Sequence, residues 1–192
     1  MGKAYFEEEV FERRDFAKEP LPKGEYTACR FVQCTFAKAD LVNVAFVECE
    51  FTGCDLSLAK VRQAAFRNVR FTDCKLLGVS FDQCNGFLFA IIPVRCNLSS
   101  SAFHGMRLEK AVFKGCSLQG VDFSNAALSG AVFDDCDLQD AVFAGTDLSK
   151  ADLRSAHGFI IDPEANKLSG ARFVSSGLGG LLAKYGVAIE HG

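Results

Sequence analysis

Leu118-Gln119-Gly120-Val121-Asp122-Phe123-Ser124-Asn125-Ala126-Ala127-Leu128-Ser129-Gly130-Ala131-Val132-Phe133 places a large apolar residue at every fifth position. The spacing extends in both directions. It runs unbroken from Leu98 to Leu153, and an earlier run leads from Tyr26 through Phe31, Phe36, Leu41, Phe46 and Phe51 to Phe81. A period of five suits neither a helix, at about 3.6 residues, nor a plain strand, at about 2. Two places before the large residue there nearly always stands a small one, such as Cys54, Ala59, Ala126 or Cys136, and the residue between is often polar, as in Asp55, Asp122 and Asp137. Inward, outward, inward over three residues is β alternation. The two remaining positions are rich in Gly, Ser, Asn, Asp and Lys, the chemistry of a corner. Short strand plus corner, repeated, predicts a polygonal β-solenoid of about seven coils, each burying its apolar residues only by stacking on its neighbours.

The 192 residues are 49% hydrophobic, enough for one domain with a full core. Nineteen Phe and no Trp follow from the repeat. No apolar stretch approaches about 18 residues and the start lacks the apolar centre of a signal peptide. A cytoplasmic protein with no membrane partner is expected. All nine cysteines (Cys29, Cys34, Cys49, Cys54, Cys74, Cys84, Cys96, Cys116 and Cys136) fall on the small-residue position and no CxxC pair occurs, so packing explains them better than zinc or disulfides. His104, His157 and His191 have no partner at catalytic or metal spacing in the sequence. Gly177-Leu178-Gly179-Gly180 reads as the turn that starts a helix, with only a weak echo of a phosphate loop. No catalytic, cofactor-binding or metal-ligating residue is assigned, no small-molecule substrate is expected, and the chain is not read as an enzyme.

Three segments organise the chain. Residues 1–25 keep Phe6, Phe11, Phe16 and Leu21 in frame but carry Glu9, Arg14 and Glu19 where small residues belong, which suits an N-terminal cap and first irregular coil. Residues 26–175 form the repeat, with a frame shift at 82–97 and an excursion at 157–167. Between Phe81 and Leu98 lie two residues more than three quintets require, and Phe87, Leu88, Phe89, Ile91 and Ile92 form either a packed irregular turn or a protruding contact loop. In residues 176–192 the quintet gives way to Leu178, Leu181, Leu182 and Tyr185 at helical spacing, ended by Gly186. This stripe is the expected dimerisation surface.

Ala39-Asp40-Leu41, Cys54-Asp55-Leu56, Cys136-Asp137-Leu138 and Ala151-Asp152-Leu153 resemble the A(D/N)LXX motif of the pentapeptide-repeat proteins. That resemblance implies an all-β fold, a right-handed quadrilateral β-helix with four quintets per turn. Asp162-Pro163 with Asn166, then Ala171-Arg172-Phe173, then Leu181-Leu182 running to Tyr185-Gly186-Val187-Ala188-Ile189, is similar to the C-terminus of the Qnr-type quinolone-resistance proteins and their relatives. Cys54-Asp55-Leu56-Ser57-Leu58 and the stretch from Val69 to Val79 resemble the albicidin-resistance branch. The resemblance implies a homodimer joined through the short C-terminal helix, and DNA gyrase or a related type II topoisomerase as partner, protected from inhibitors by an acidic rod shaped like B-DNA.

Charge is segregated along the chain. Leu56 to Lys114 holds nine basic and three acidic residues, whereas Gly115 to Leu153 holds one base, Lys150, and seven acids: Asp122, Asp134, Asp135, Asp137, Asp140, Asp147 and Asp152. Either these are solvated solenoid faces, or the acids form a partner surface near the centre of a dimer. The overall charge of −3 confines any imitation of DNA to that acidic part. The alternative function is a scaffold or regulatory solenoid with another protein partner. Direct nucleic-acid binding is not expected, because the basic middle coils offer no aromatic outside the interior frame.

Overall fold

Each quintet makes one side of a coil because three of its residues are extended and the second residue after the large apolar one turns into the left-handed region, as Gln33 (φ 52°), Asn68 (φ 54°) and Gly120 (φ 62°) do. Gly and Asn reach that region at little cost, which accounts for the corner composition. The structure is a computed structural model and describes residues 4–188. Eleven short strands stack in parallel: β1 (Ala4–Glu7), β2 (Val10–Glu12), β3 (Gly24–Thr27), β4 (Arg30–Val32), β5 (Ala45–Val47), β6 (Glu50–Thr52), β7 (Ala65–Arg67), β8 (Val69–Thr72), β9 (Ile91–Val94), β10 (Val112–Lys114) and β11 (Val132–Asp134). One sheet has the order β1-β3-β5-β7 and the other β11-β10-β9-β8-β6-β4-β2.

These sheets are the first and second of four sides. The third is a ladder of single bridges through Asp15, Thr35, Asp55, Lys75, Asn97, Ser117, Asp137 and His157, and the fourth includes Ser80, Ala102, Asp122 and Val142. Partners lie twenty residues apart, as in Phe31↔Phe51 and Phe51↔Phe71, so residues close in sequence are spread around the circumference while those one coil apart are stacked. Pairs that straddle the insertion are offset by two more, as where β8 and β9 pair Val69 with Ile91 and Phe71 with Pro93. The two extra residues sit between Asn85, whose N–H reaches the Ala64 carbonyl, and Ala90, whose N–H reaches the Phe66 carbonyl. The two extra residues of the 82–97 stretch are thus confined to a bulge at 86–90 on the first side, part of it packed and part exposed. Phe89 packs edge-on to Phe66 and Phe81, while Phe87 and Leu88 project.

The interior is a continuous stack of large side chains, in which Phe31, Phe51 and Phe71 lie face to face at 4.6 and 4.9 Å. The Cys and Thr side chains at the small-residue position reach the carbonyl of a large residue one coil earlier: Cys54 to Phe31 (3.3 Å), Cys74 to Phe51 (3.4 Å) and Thr146 to Phe123 (2.9 Å). The Cys54 sulfur also accepts the Cys34 N–H at 3.4 Å. Asn166 extends the device at the last coil, accepting from the Thr146 N–H and donating to the Phe143 carbonyl, both at 2.9 Å. Cysteine is thus more than a stand-in for Ala, because its thiol ties adjacent coils. All nine are buried and unpaired, and burial pushes Cys49 and Cys84 up to about 12. In native protein an aromatic disulfide reagent should titrate none of the nine thiols within minutes, and all of them in denaturant. Rapid stoichiometric labelling of the folded chain would refute the interior placement.

At the C-terminal end Phe159 and Ile161 are both buried, and the coil runs on through the bridges at Lys167 and Arg172. Turns of 3-10 helix at Ser175–Gly177 and Ala183–Tyr185 flank α1 (Gly179–Leu182), which lies over that end. Gly180 sits against the Phe159 carbonyl with no room for a Cβ, and its own carbonyl accepts the Ile161 N–H at 3.0 Å. The glycine cluster is a close-packing device.

Candidate functional site

The seven acids do not form one surface. Asp122 lies on the fourth side, Asp137 on the third, Asp147 on the first and Asp152 on the second, each at the outward position before a large residue. There each carboxylate accepts the backbone N–H two residues on: Ser124, Gln139, Ser149 and Arg154, at 2.8–3.2 Å. Asp40 and Asp55 do the same. This is a side chain closing its own corner, so four of the seven acids serve the repeat itself. The bond from Arg154 holds the Asp152 carboxyl below the usual carboxylate range, and the Ser149 bonds do so for Asp147. Asp134 leans on Lys114, one coil back, at 3.6 Å.

Asp135 and Asp140 are different. Both occupy left-handed corner positions, both are exposed, and neither forms an ion pair among the described residues. They flank the third side of one coil with Asp137 between them, so the acidic surface reduces to one side of one coil. His104 and His157, which have no partner in sequence spacing, each stand near a carboxylate supplied by stacking. The distances are 3.8 Å to Asp122 and 3.7 Å to Asp137, and both imidazoles are exposed. His191 lies outside the described residues, as does Ile189. Among the described residues no group of three or more His, Cys, Asp and Glu is arranged to hold a metal ion. None of their helices is long and apolar enough to cross a membrane.

Two apolar surfaces remain. In the bulge Phe87 is 67% and Leu88 66% exposed, Ile92 is half-buried, and Phe89 and Ile91 turn inward. The Arg67 guanidinium lies over the Phe87 ring, 5.7 Å from its centre. The expectation that the basic coils hold no outward aromatic is therefore corrected: the two inserted residues push Phe87 out of the interior frame. Sequence reasoning also missed Val112, the far wall of the groove beside the bulge. Its signal was an apolar residue at the outward position of the second side in three successive coils, Ile92, Val112 and Val132. At the C-terminal end Leu178, Leu182 and Tyr185 are exposed, but Leu181 packs against the core. Lys184 bonds Asp162 and Glu164, both at 2.6 Å, and fixes the helical segment to the excursion.

The family signature described as pentapeptide repeats (8 copies) matches residues 29–68 and 49–85, and that of the pentapeptide repeat region matches residues 94–157. No curated protein sequence matches the chain. Among solved structures, a trypsin-treated form of QnrB1, a plasmid-mediated fluoroquinolone resistance protein, is 18% identical with a TM-score of 0.73, over 99% of this chain and 93% of that one. A second trypsin-treated form of QnrB1 gives 17% identity and a TM-score of 0.63, over 97% of this chain and all of that one. At these identities the likeness is one of fold.

Proposed function

The chain belongs to the pentapeptide-repeat family, and on that premise we propose that it is a non-enzymatic, cytoplasmic interaction protein that binds DNA gyrase or a related type II topoisomerase and lessens the action of its inhibitors. The resemblance of the C-terminal sequence to the Qnr-type proteins names the partner class. The observation that supports contact with a DNA-binding enzyme is the acidic third side at Asp135, Asp137 and Asp140. DNA carries about one charge per 1.7 Å of axis. The mimicry is accordingly local, a patch that enters a DNA-binding groove, with the rest of the rod supplying reach. The test is supercoiling by purified gyrase in the presence of a fluoroquinolone, with and without this protein. Restored supercoiling supports the reading, and no change at saturating protein rejects it.

Pairing of two copies belongs to the same proposal. Leu178, Leu182 and Tyr185 form an apolar face at the end of the rod, and such a face is covered in most soluble proteins. Leu181, being turned to the core, is not part of it. Arg at positions 178 and 182 should convert dimers to monomers in sedimentation without loss of the coil, and dimers that persist would move the interface elsewhere.

A second reading, a scaffold or regulatory solenoid for another protein, draws support from Phe87 and Leu88, which the acidic side does not use.

A further inference from the structure

We propose that the groove between the 86–90 bulge and the next coil is a docking site for a short acidic, apolar segment of a partner protein. The groove has a volume of about 610 Å³ and is walled by Leu88, Phe89, Ile92, Leu108 and Val112. Its apolar wall is not a by-product of folding. Leu88 has φ 56°, and the only other large apolar residue in a left-handed corner among the described residues, Leu58, has Gly78 stacked beneath it, its side chain reaching to 2.6 Å from where a Gly78 Cβ would stand. Both are exposed, Leu88 at 66% and Leu58 at 54%. The other left-handed corners mostly hold Gly or polar side chains such as Asn, Asp, Gln and Lys, so a large apolar residue is accepted at this one in spite of its exposure.

The rim decides what fits. Lys110 lines the groove, Arg67 lies over Phe87 and Arg70 is the strand neighbour of Ile92 one coil back, and none of the three forms an ion pair among the described residues. Arg107 is paired with the one nearby acid, Glu109, at 3.5 Å. The Arg67 guanidinium, stacked over the Phe87 ring, keeps its full charge with no carboxylate paired to it among the described residues. Apolar walls between unpaired cations match a segment in which Phe or Leu alternates with Glu or Asp. A single exposed aromatic in an apolar trough is a poor stacking platform for bases, which favours peptide over nucleic acid. The inference does not depend on the partner being a topoisomerase.

The probe is a fluorescein-labelled peptide of about ten residues alternating Phe or Leu with Glu, compared with the same peptide carrying Lys for Glu, by fluorescence anisotropy. The Glu peptide should bind saturably, weaken as salt rises, and exceed the Lys peptide by at least about tenfold. The double variant Phe87→Ser, Leu88→Gly should lose at least about tenfold in affinity while its melting temperature holds or rises, because Gly relieves the left-handed strain. Arg67→Gln with Lys110→Gln should weaken the Glu peptide and leave the Lys peptide unchanged. The proposal is overturned by equal binding of both peptides, by no saturation below about 1 mM, or by a marked fall in melting temperature of the double variant. Displacement of the peptide by a single-stranded oligonucleotide would assign the groove to nucleic acid. Self-association of wild type that the double variant abolishes would assign it to a second copy.

Discussion

Phe51→Ala should lower the free energy of unfolding by about 3–5 kcal/mol, the largest effect expected of any single substitution away from the ends. The ring is wholly buried, stacked between Phe31 and Phe71 and met edge-on by Phe36 and Phe46 at 5.7 and 5.3 Å. A hole there removes contacts within its own coil and with coils on both sides. In a solenoid each coil is held only by its neighbours. Phe51→Leu should cost less than about 2 kcal/mol, because Leu56, Leu76, Leu118 and Leu138 already fill the corresponding place on the third side. Chemical denaturation of the two variants measures both. Equal losses would mean that the ring contacts themselves, and not the filled volume, carry the stability.

Replacing Asp135 and Asp140 with Lys should weaken topoisomerase binding by at least about tenfold and leave thermal stability unchanged. Lys fits those corners, since Lys38, Lys110 and Lys150 stand in the same left-handed position on other coils. Asp122→Ala and Asp147→Ala should show the reverse pattern. Each deletes the hydrogen bond that closes a corner, at a cost of roughly 0.5–1.5 kcal/mol, with binding retained. Calorimetry and a binding titration on the three variants separate carboxylates that build the rod from those that meet the partner. Loss of binding in Asp122→Ala equal to that in the double reversal would restore a diffuse acidic surface.

That division was not legible in the chain. The interior was: a fifth-residue period admits one stacking solution, and Phe31, Phe51, Phe71 and all nine cysteines lie where it puts them. The surface was not, because a linear count of charge takes no account of a twenty-residue circumference. Seven acids that crowd a short stretch are dealt to four sides, and the Asp of each A(D/N)LXX motif is consumed by its own corner. The motif itself held that warning, since Asp40 and Asp55 close corners far from the acidic stretch. The frame shift after Phe81 was visible as a length. Which residues it expelled was not, because Phe87 and Phe89 are the same amino acid two places apart and only the packing on Phe66 and Phe81 distinguishes them. Leu181 was misjudged for a similar reason. Helical spacing groups it with Leu178 and Leu182, but so short a helix lies on the end of the coil with one residue turned down.

The central claim, that this rod engages a type II topoisomerase through its acidic third side, is tested most directly by titrating immobilised DNA gyrase with the purified chain in the presence and absence of competing linear duplex DNA. The account predicts saturable binding that duplex DNA displaces and that weakens as ionic strength rises through the range where the Debye length falls below about 10 Å. Absence of binding, or binding indifferent to both DNA and salt, would contradict it.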